Sequence, residues 1–173
     1  INRLTSLEAK IEGAGFPKAD VDDLEKQVTK LNSDLSKAYF GRGWLYKKQS
    51  EMKSAIEDFT VFLRLEPDNA EGYSSRAQAF EELGRYDEAQ ADFTKAIGLE
   101  PMTIENYYAR GFSYKKSEKF NLAVADFTKF LEMETSDKNA QSEVLIRRCL
   151  TYLQMGDNQS ALKDANQAIK LTP

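Results

Sequence analysis

YFGRGWLYKKQSE (residues 39–51) and YYARGFSYKKSEK (residues 107–119) write one phrase twice, 68 residues apart. Each has two aromatics, Arg-Gly, a further aromatic, then Tyr-Lys-Lys. The interval is twice 34, so a third copy is expected midway. It is there: YSSRAQAFEELGRYDEAQADFTKAIGLEP, residues 73–101. Arg42, Arg76 and Arg110 then fall 34 apart, and so do Asp58, Asp92 and Asp126, and Phe59, Phe93 and Phe127. A fourth copy, LIRRCLTYLQMGDNQSALKDANQAIKLTP (residues 145–173), is displaced by four residues but keeps sixteen residues between Arg148 and Asp164.

Within each copy the apolar residues step by three and four, the pattern of an amphipathic helix. Two such helices are joined near Ser50, Gly84, Ser117 and Gly156. Small residues at Gly43, Ala77, Gly111 and Cys149 let neighbouring helices approach, which makes Cys149 a packing residue. Pro67 and Pro101 stand just past helix ends, where a residue without an N–H stops the helix. A pair of this size has too little core to stand alone, and stacking supplies the rest.

A 34-residue helical period with these aromatic, small and proline positions resembles the tetratricopeptide repeat. The resemblance covers Ser36 to Pro173, best in residues 70–103 with Tyr73, Ala77, Phe80, Gly84, Tyr86, Ala89, Phe93, Ala96 and Pro101. It implies an all-α, right-handed superhelical solenoid of antiparallel helix pairs. The repeats are set at 36–69, 70–103, 104–137 and 142–173, with an insertion at 138–141 and an N-terminal helical segment over 1–35. Four extra residues amount to about one helical turn. The first helix of repeat four is therefore expected to begin near Lys138, capped by Ser136 or Asp137.

Residues 1–35 lack the repeat signature. Leu4, Leu7 and Ile11 share one helical face, GAGFP breaks the helix, and Asp20 can cap a second one. Val21, Leu24, Val28, Leu31 and Leu35 then follow a near-heptad seam. The segment is read as a helical pair capping repeat one. A coiled coil and a segment folded into the groove are the alternatives.

Composition excludes much chemistry. Among 173 residues there is no histidine and one cysteine, so the commonest general base and the usual zinc sets are missing. No phosphate-binding glycine motif or nucleophile elbow occurs. We expect no enzyme activity, no cofactor and no metal. Net charge is −4, which argues against nucleic acid as a partner. No apolar run suits membrane insertion. A single cysteine and the lack of a leader-like start suggest a cytoplasmic protein, and a start at Ile1 suggests a piece of a longer chain.

Where the family usually has Leu, this chain has Arg42, Arg76, Arg110 and Arg148. Each is matched sixteen residues later, by Asp58, Asp92, Asp126 and Asp164. Matched charges in every copy are read as structural pairs bridging the two helices, rather than as a ladder of ligand-binding guanidinium groups.

The resemblance further implies protein binding in a concave groove lined by the first helices. Mapped onto this chain, the groove residues are Phe40, Trp44, Lys47, Lys48, Gln78, Tyr108, Phe112, Lys115, Lys116, Arg147 and Leu150. The expected partner is a protein offering an extended peptide or an amphipathic helix, with acidic residues meeting the lysines. The alternative for Phe40 and Trp44 is cover by the N-terminal helices. Members that grip chaperone C-terminal carboxylates use a Lys/Asn/Arg set, whose positions here hold Phe40, Trp44, Ser75, Glu105 and Ala109. That activity is not expected. Self-association through the solenoid ends or the N-terminal helices is the alternative function.

Overall fold

The computed structural model describes residues 18–134 and 136–172. The described residues form eight helices and no strand: α1 (Lys18–Lys48), α2 (Met52–Leu65), α3 (Ala70–Glu82), α4 (Tyr86–Leu99), α5 (Ile104–Lys116), α6 (Phe120–Met133), α7 (Lys138–Met155) and α8 (Asn158–Leu171). Each helix packs on its chain neighbours and hardly beyond, so the molecule is a solenoid of four antiparallel pairs.

The core is built from repeated columns. Phe59, Phe93 and Phe127 are fully buried, one on each of α2, α4 and α6. Burying one such ring is worth roughly 2–3 kcal/mol. Phe59 meets Gly43 on its own first helix, where a Cβ would lie 2.9 Å from the ring, and Phe127 meets Gly111 in the same way. The second glycine of the repeated phrase thus gives the phenylalanine ring room for close approach, while in repeat two the small Ala77 fills the same column against Phe93. In repeat four the phenylalanine column holds Ala165, and the glycine column accordingly holds the larger Cys149.

Helix starts follow capping chemistry. The Asn69 side chain accepts from Gly72 N, Asp137 from Asn139 N and Ala140 N, and Asp157 from Ser160 N. Asp137 starts α7 at Lys138, so the extra residues form an added first turn of that helix.

The turn between paired helices needs one left-handed residue. Gly84 (φ 70°) and Gly156 (φ 78°) supply it in repeats two and four. In repeats one and three the same position holds Ser50 (φ 62°) and Glu118 (φ 60°). The turn of repeat three is thus centred on Glu118, one residue beyond the expected Ser117. A side chain there costs roughly 1–2 kcal/mol, part of which glycine returns as unfolded-state entropy. Glu118→Gly is expected to raise stability by about 1 kcal/mol. Urea unfolding that shows no gain would mean the glutamate makes compensating contacts.

The N-terminal segment departs from expectation. Residues 18–48 form one continuous 31-residue helix, so Asp20 lies inside α1 instead of capping a second helix. Leu24, Val28, Leu31 and Leu35 are exposed, and residues 22–35 do not fold back over the first repeat. The expected helix around Leu4, Leu7 and Ile11 lies outside the described residues.

Candidate interaction groove

The repeated arginines set the frame on which the groove rests. Arg76 donates from Nε and Nη2 to the two carboxylate oxygens of Asp92, at 2.7 and 2.8 Å. Arg42–Asp58, Arg110–Asp126 and Arg148–Asp164 repeat this bidentate pairing. Each guanidinium also lies against ring faces: Tyr39 and Tyr46 for Arg42, Tyr107 and Tyr114 for Arg110. The tyrosines of the repeated phrase thus sandwich its arginine. A third bond escaped the sequence reading. Arg76, Arg110 and Arg148 donate from Nη1 to Thr60, Thr94 and Thr128 of the preceding repeat, at 3.1, 2.9 and 2.8 Å. These threonines are themselves 34 apart, two residues after each Asp, and that spacing was the available signal.

On the other face, the first helices lie side by side and are tied by side chains. Lys47 donates to Gln78, and Ser113 donates to Glu81. Ser74 donates to Asn106 at 2.7 Å, and Tyr108 to Glu143 at 2.8 Å. The resulting floor presents one residue per repeat in a column: Trp44, Gln78, Phe112 and Leu150. Trp44 is 45% exposed, and the Lys48 ammonium sits 4.9 Å from its ring centroid. Phe112 is held between Lys116 at 5.3 Å and Arg147 at 5.9 Å. Leu150, Leu153 and Ile146 extend the apolar surface along α7.

Two expected groove residues belong mainly to the core. Phe40 packs on Phe59 and Phe62, with centroids 5.7 and 4.9 Å apart. Tyr108 packs on Phe127 and Phe130 at 6.2 and 6.0 Å. Both are half-buried because their helix turn points between the two helices of the repeat. Trp44, one turn later, points clear of them.

A depression of about 390 Å³ opens beside Trp44, lined by Lys47, Lys48, Met52, Gln78, Glu81 and Glu82. Burial pushes the Glu81 carboxyl above its usual range, against the opposing pull of the Ser113 hydroxyl. Burial lowers the basicity of Lys47, helped by Lys48, and of Lys115, helped by Arg147 and Lys116. The ammonium groups of Lys48 and Lys116 are exposed beside the Trp44 and Phe112 rings. Among the described residues no group of acidic or sulfur side chains is placed to hold a metal, and no helix is long and apolar enough to cross a membrane.

Models of the tetratricopeptide repeat match residues 36–69, 70–102, 104–137 and 142–173. No curated protein matches the chain in sequence. Among solved structures, a crystal structure of MamA superposes with a TM-score of 0.75 at 20% identity, covering 84% of this chain and 83% of that one. The first tetratricopeptide domain of Spaghetti (RPAP3), bound to the HSP90 peptide SRMEEVD, gives 0.65 at 22% identity, covering 72% and 95%. The OM64 domain from Arabidopsis gives 0.59 at 28% identity, covering 65% and 96%.

Proposed function

The chain belongs to the tetratricopeptide repeat family, and we propose that its first-helix face binds an apolar, acidic segment of a protein partner. The carrying observation is Trp44, a large ring left 45% exposed beside a charged depression. Large exposed apolar groups rimmed by charge mark interaction sites. Tryptophan is a preferred anchor because it buries much area at small rotamer cost. Phe112 and Leu150 continue the same column. An apolar peptide or amphipathic helix running across α1, α3, α5 and α7 would meet all three. Its acidic residues would pair with Lys48 and Lys116, while Glu81 and Glu82 between them repel a second acidic stretch and so set the register.

The site is not suited to a chaperone-type carboxylate. The RPAP3 domain is seen with an HSP90 peptide, but here the clamp positions hold Phe40, Trp44, Ser75, Glu105 and Ala109. Phe40 is packed on two phenylalanine rings and Ser75 is buried. None of the five offers a cation.

The test is a selection of displayed random peptides on the chain, followed by affinity measurement on variants. Trp44→Ala is expected to weaken the selected peptides about 30-fold, the loss of a hot-spot residue, with the melting temperature nearly unchanged. Tyr108→Ala should instead lower the melting temperature, because its ring packs on Phe127 and Phe130. SRMEEVD should not bind. Selected peptides that bind wild type and Trp44→Ala equally would remove the groove reading.

A further inference from the structure

The apolar row and the charged row of the groove change together at repeat two. Lys48, Glu82 and Lys116 are 34 apart and follow Trp44, Gln78 and Phe112 by four residues, one helical turn. In repeat four the same two places hold Leu150 and Gln154. Steps one and three thus offer an aromatic ring with a cation, and step two an amide with an anion. Lys48, Glu82 and Lys116 are all exposed. Among the described residues none of these three makes an ion pair, whereas the exposed Arg85, Lys119 and Lys129 do. Their inner neighbours in repeats one and two are already engaged: Lys47 donates to Gln78, and Glu81 accepts from Ser113. Exposed, unpaired charges of alternating sign beside an apolar column can read the order of charges on a partner.

Spacing selects the shape of the occupant. Residues four apart on a helix lie about 6 Å apart along its axis, which separates the two rows. Neighbouring packed helices repeat at about 8–10 Å, which sets the step from one repeat to the next. A partner crossing α1, α3 and α5 must offer each step a residue on the same face. A β-strand covers one step in about three residues, and a residue an odd number of places on points to the opposite face. A polyproline-type strand returns to one face every third residue, but with only that residue facing the floor it serves a single row. An α-helix covers the step in about six to seven residues. Residues one heptad apart share a face, and the stripe of an amphipathic helix is wide enough for both rows.

We propose, resting on the groove reading above, that the partner segment is an amphipathic helix whose charges run acidic, basic, acidic at heptad spacing. Its acids meet Lys48 and Lys116, and its base meets Glu82. Apolar residues one turn from each acid cover Trp44 and Phe112, and a polar residue faces Gln78. A uniformly acidic helix sets like charges together at Glu82 and is discriminated against there. The order is the same read from either end, so it selects a partner without fixing the direction of its chain.

A displayed library of helical peptides tests it, with Glu, Gln or Lys allowed at three positions one heptad apart and apolar residues fixed beside the outer two. Wild type is expected to enrich the acidic–basic–acidic order. It should bind that peptide about 10-fold more tightly than the all-acidic one at low salt, and added salt should narrow the gap. Glu82→Lys should reverse the preference, toward the all-acidic peptide. Lys116→Glu should favour lysine at one outer position. Glu82 is exposed at the end of α3, where a cation suits the helix, so helical circular dichroism should be retained. If Glu82→Lys loses it, Glu82→Gln replaces that variant and should abolish the preference. A charge preference that ignores substitution of Glu82 overturns the proposal. So does a helical library that yields no binder, and so does enrichment of the same order from an extended library with charges on every third residue. The loss of random-peptide affinity in Trp44→Ala is read separately, so any of these failures leaves the groove reading standing.

Discussion

Asp92→Asn is expected to lower the unfolding free energy by about 3 kcal/mol, whereas Asp87→Asn should cost less than about 1 kcal/mol. Both carboxylates bind a cation at 2.7 Å, so a distance alone does not separate them. Burial does. The Asp92 and Arg76 side chains are 10% and 18% exposed, while Asp87 and Lys119 are 79% and 43% exposed. Asparagine keeps one acceptor for Arg76 but removes the charge that offsets a guanidinium enclosed between Tyr73 and Phe80. The remaining cation then carries most of its desolvation cost unpaired. Arg76→Met with Asp92→Leu should recover much of the loss, since an apolar pair of similar volume leaves no charge uncompensated. Equal melting temperatures for Asp92→Asn and Asp87→Asn would sink the bridge reading. The same substitution at Asp58 should be milder than at Asp92, because Arg42 remains open to water.

The parts of the fold that recur were legible, because recurrence is itself the evidence. Thirty-four-residue spacing of Arg, Asp and Phe defined the helix pairs, and matched charges pointed to the bridges that join them. The Thr60, Thr94 and Thr128 links had the same signal but no prompt: a threonine on a helix surface has many uses, and only the geometry shows Arg Nη1 reaching across the junction. Side-chain direction was harder. Phe40 and Trp44 lie one helical turn apart, and a shift of a few tens of degrees separates packing on Phe62 from pointing into open space. Spacing does not resolve that angle. Non-repeating residues were least legible. The stripe from Val21 to Leu35 has helical spacing and lies within α1, but helicity does not say what covers a stripe, and the described part of α1 continues straight into repeat one.

Phe62→Ala and Gly72→Val are expected to show reversed effects in each other's presence. Helix α2 presents Phe62, and the facing turn of α3 presents Gly72, whose added Cβ would lie 2.5 Å from Phe62 Cε1 and 2.8 Å from Leu63 Cδ2. One repeat later the same two columns hold Ala96 and Asn106, and two repeats later Phe130 and Val144. Large therefore faces small at the first junction, and the sizes exchange at the second. In wild type, Gly72→Val adds volume to a filled space and should cost roughly 1–3 kcal/mol. Phe62→Ala should cost roughly 3–5 kcal/mol, through lost burial and the cavity left beside Gly72 and Phe40. In the Phe62→Ala background, however, the Gly72→Val side chain enters that cavity and should stabilise by about 1 kcal/mol. The coupling would then exceed about 2 kcal/mol, well beyond the additivity of independent sites. The check is urea unfolding of the four proteins in the cycle. If Gly72→Val destabilises both backgrounds alike, the junction tolerates no exchange of volume, and Gly72 is set by backbone approach of α3 to α2 instead of by the Phe62 ring.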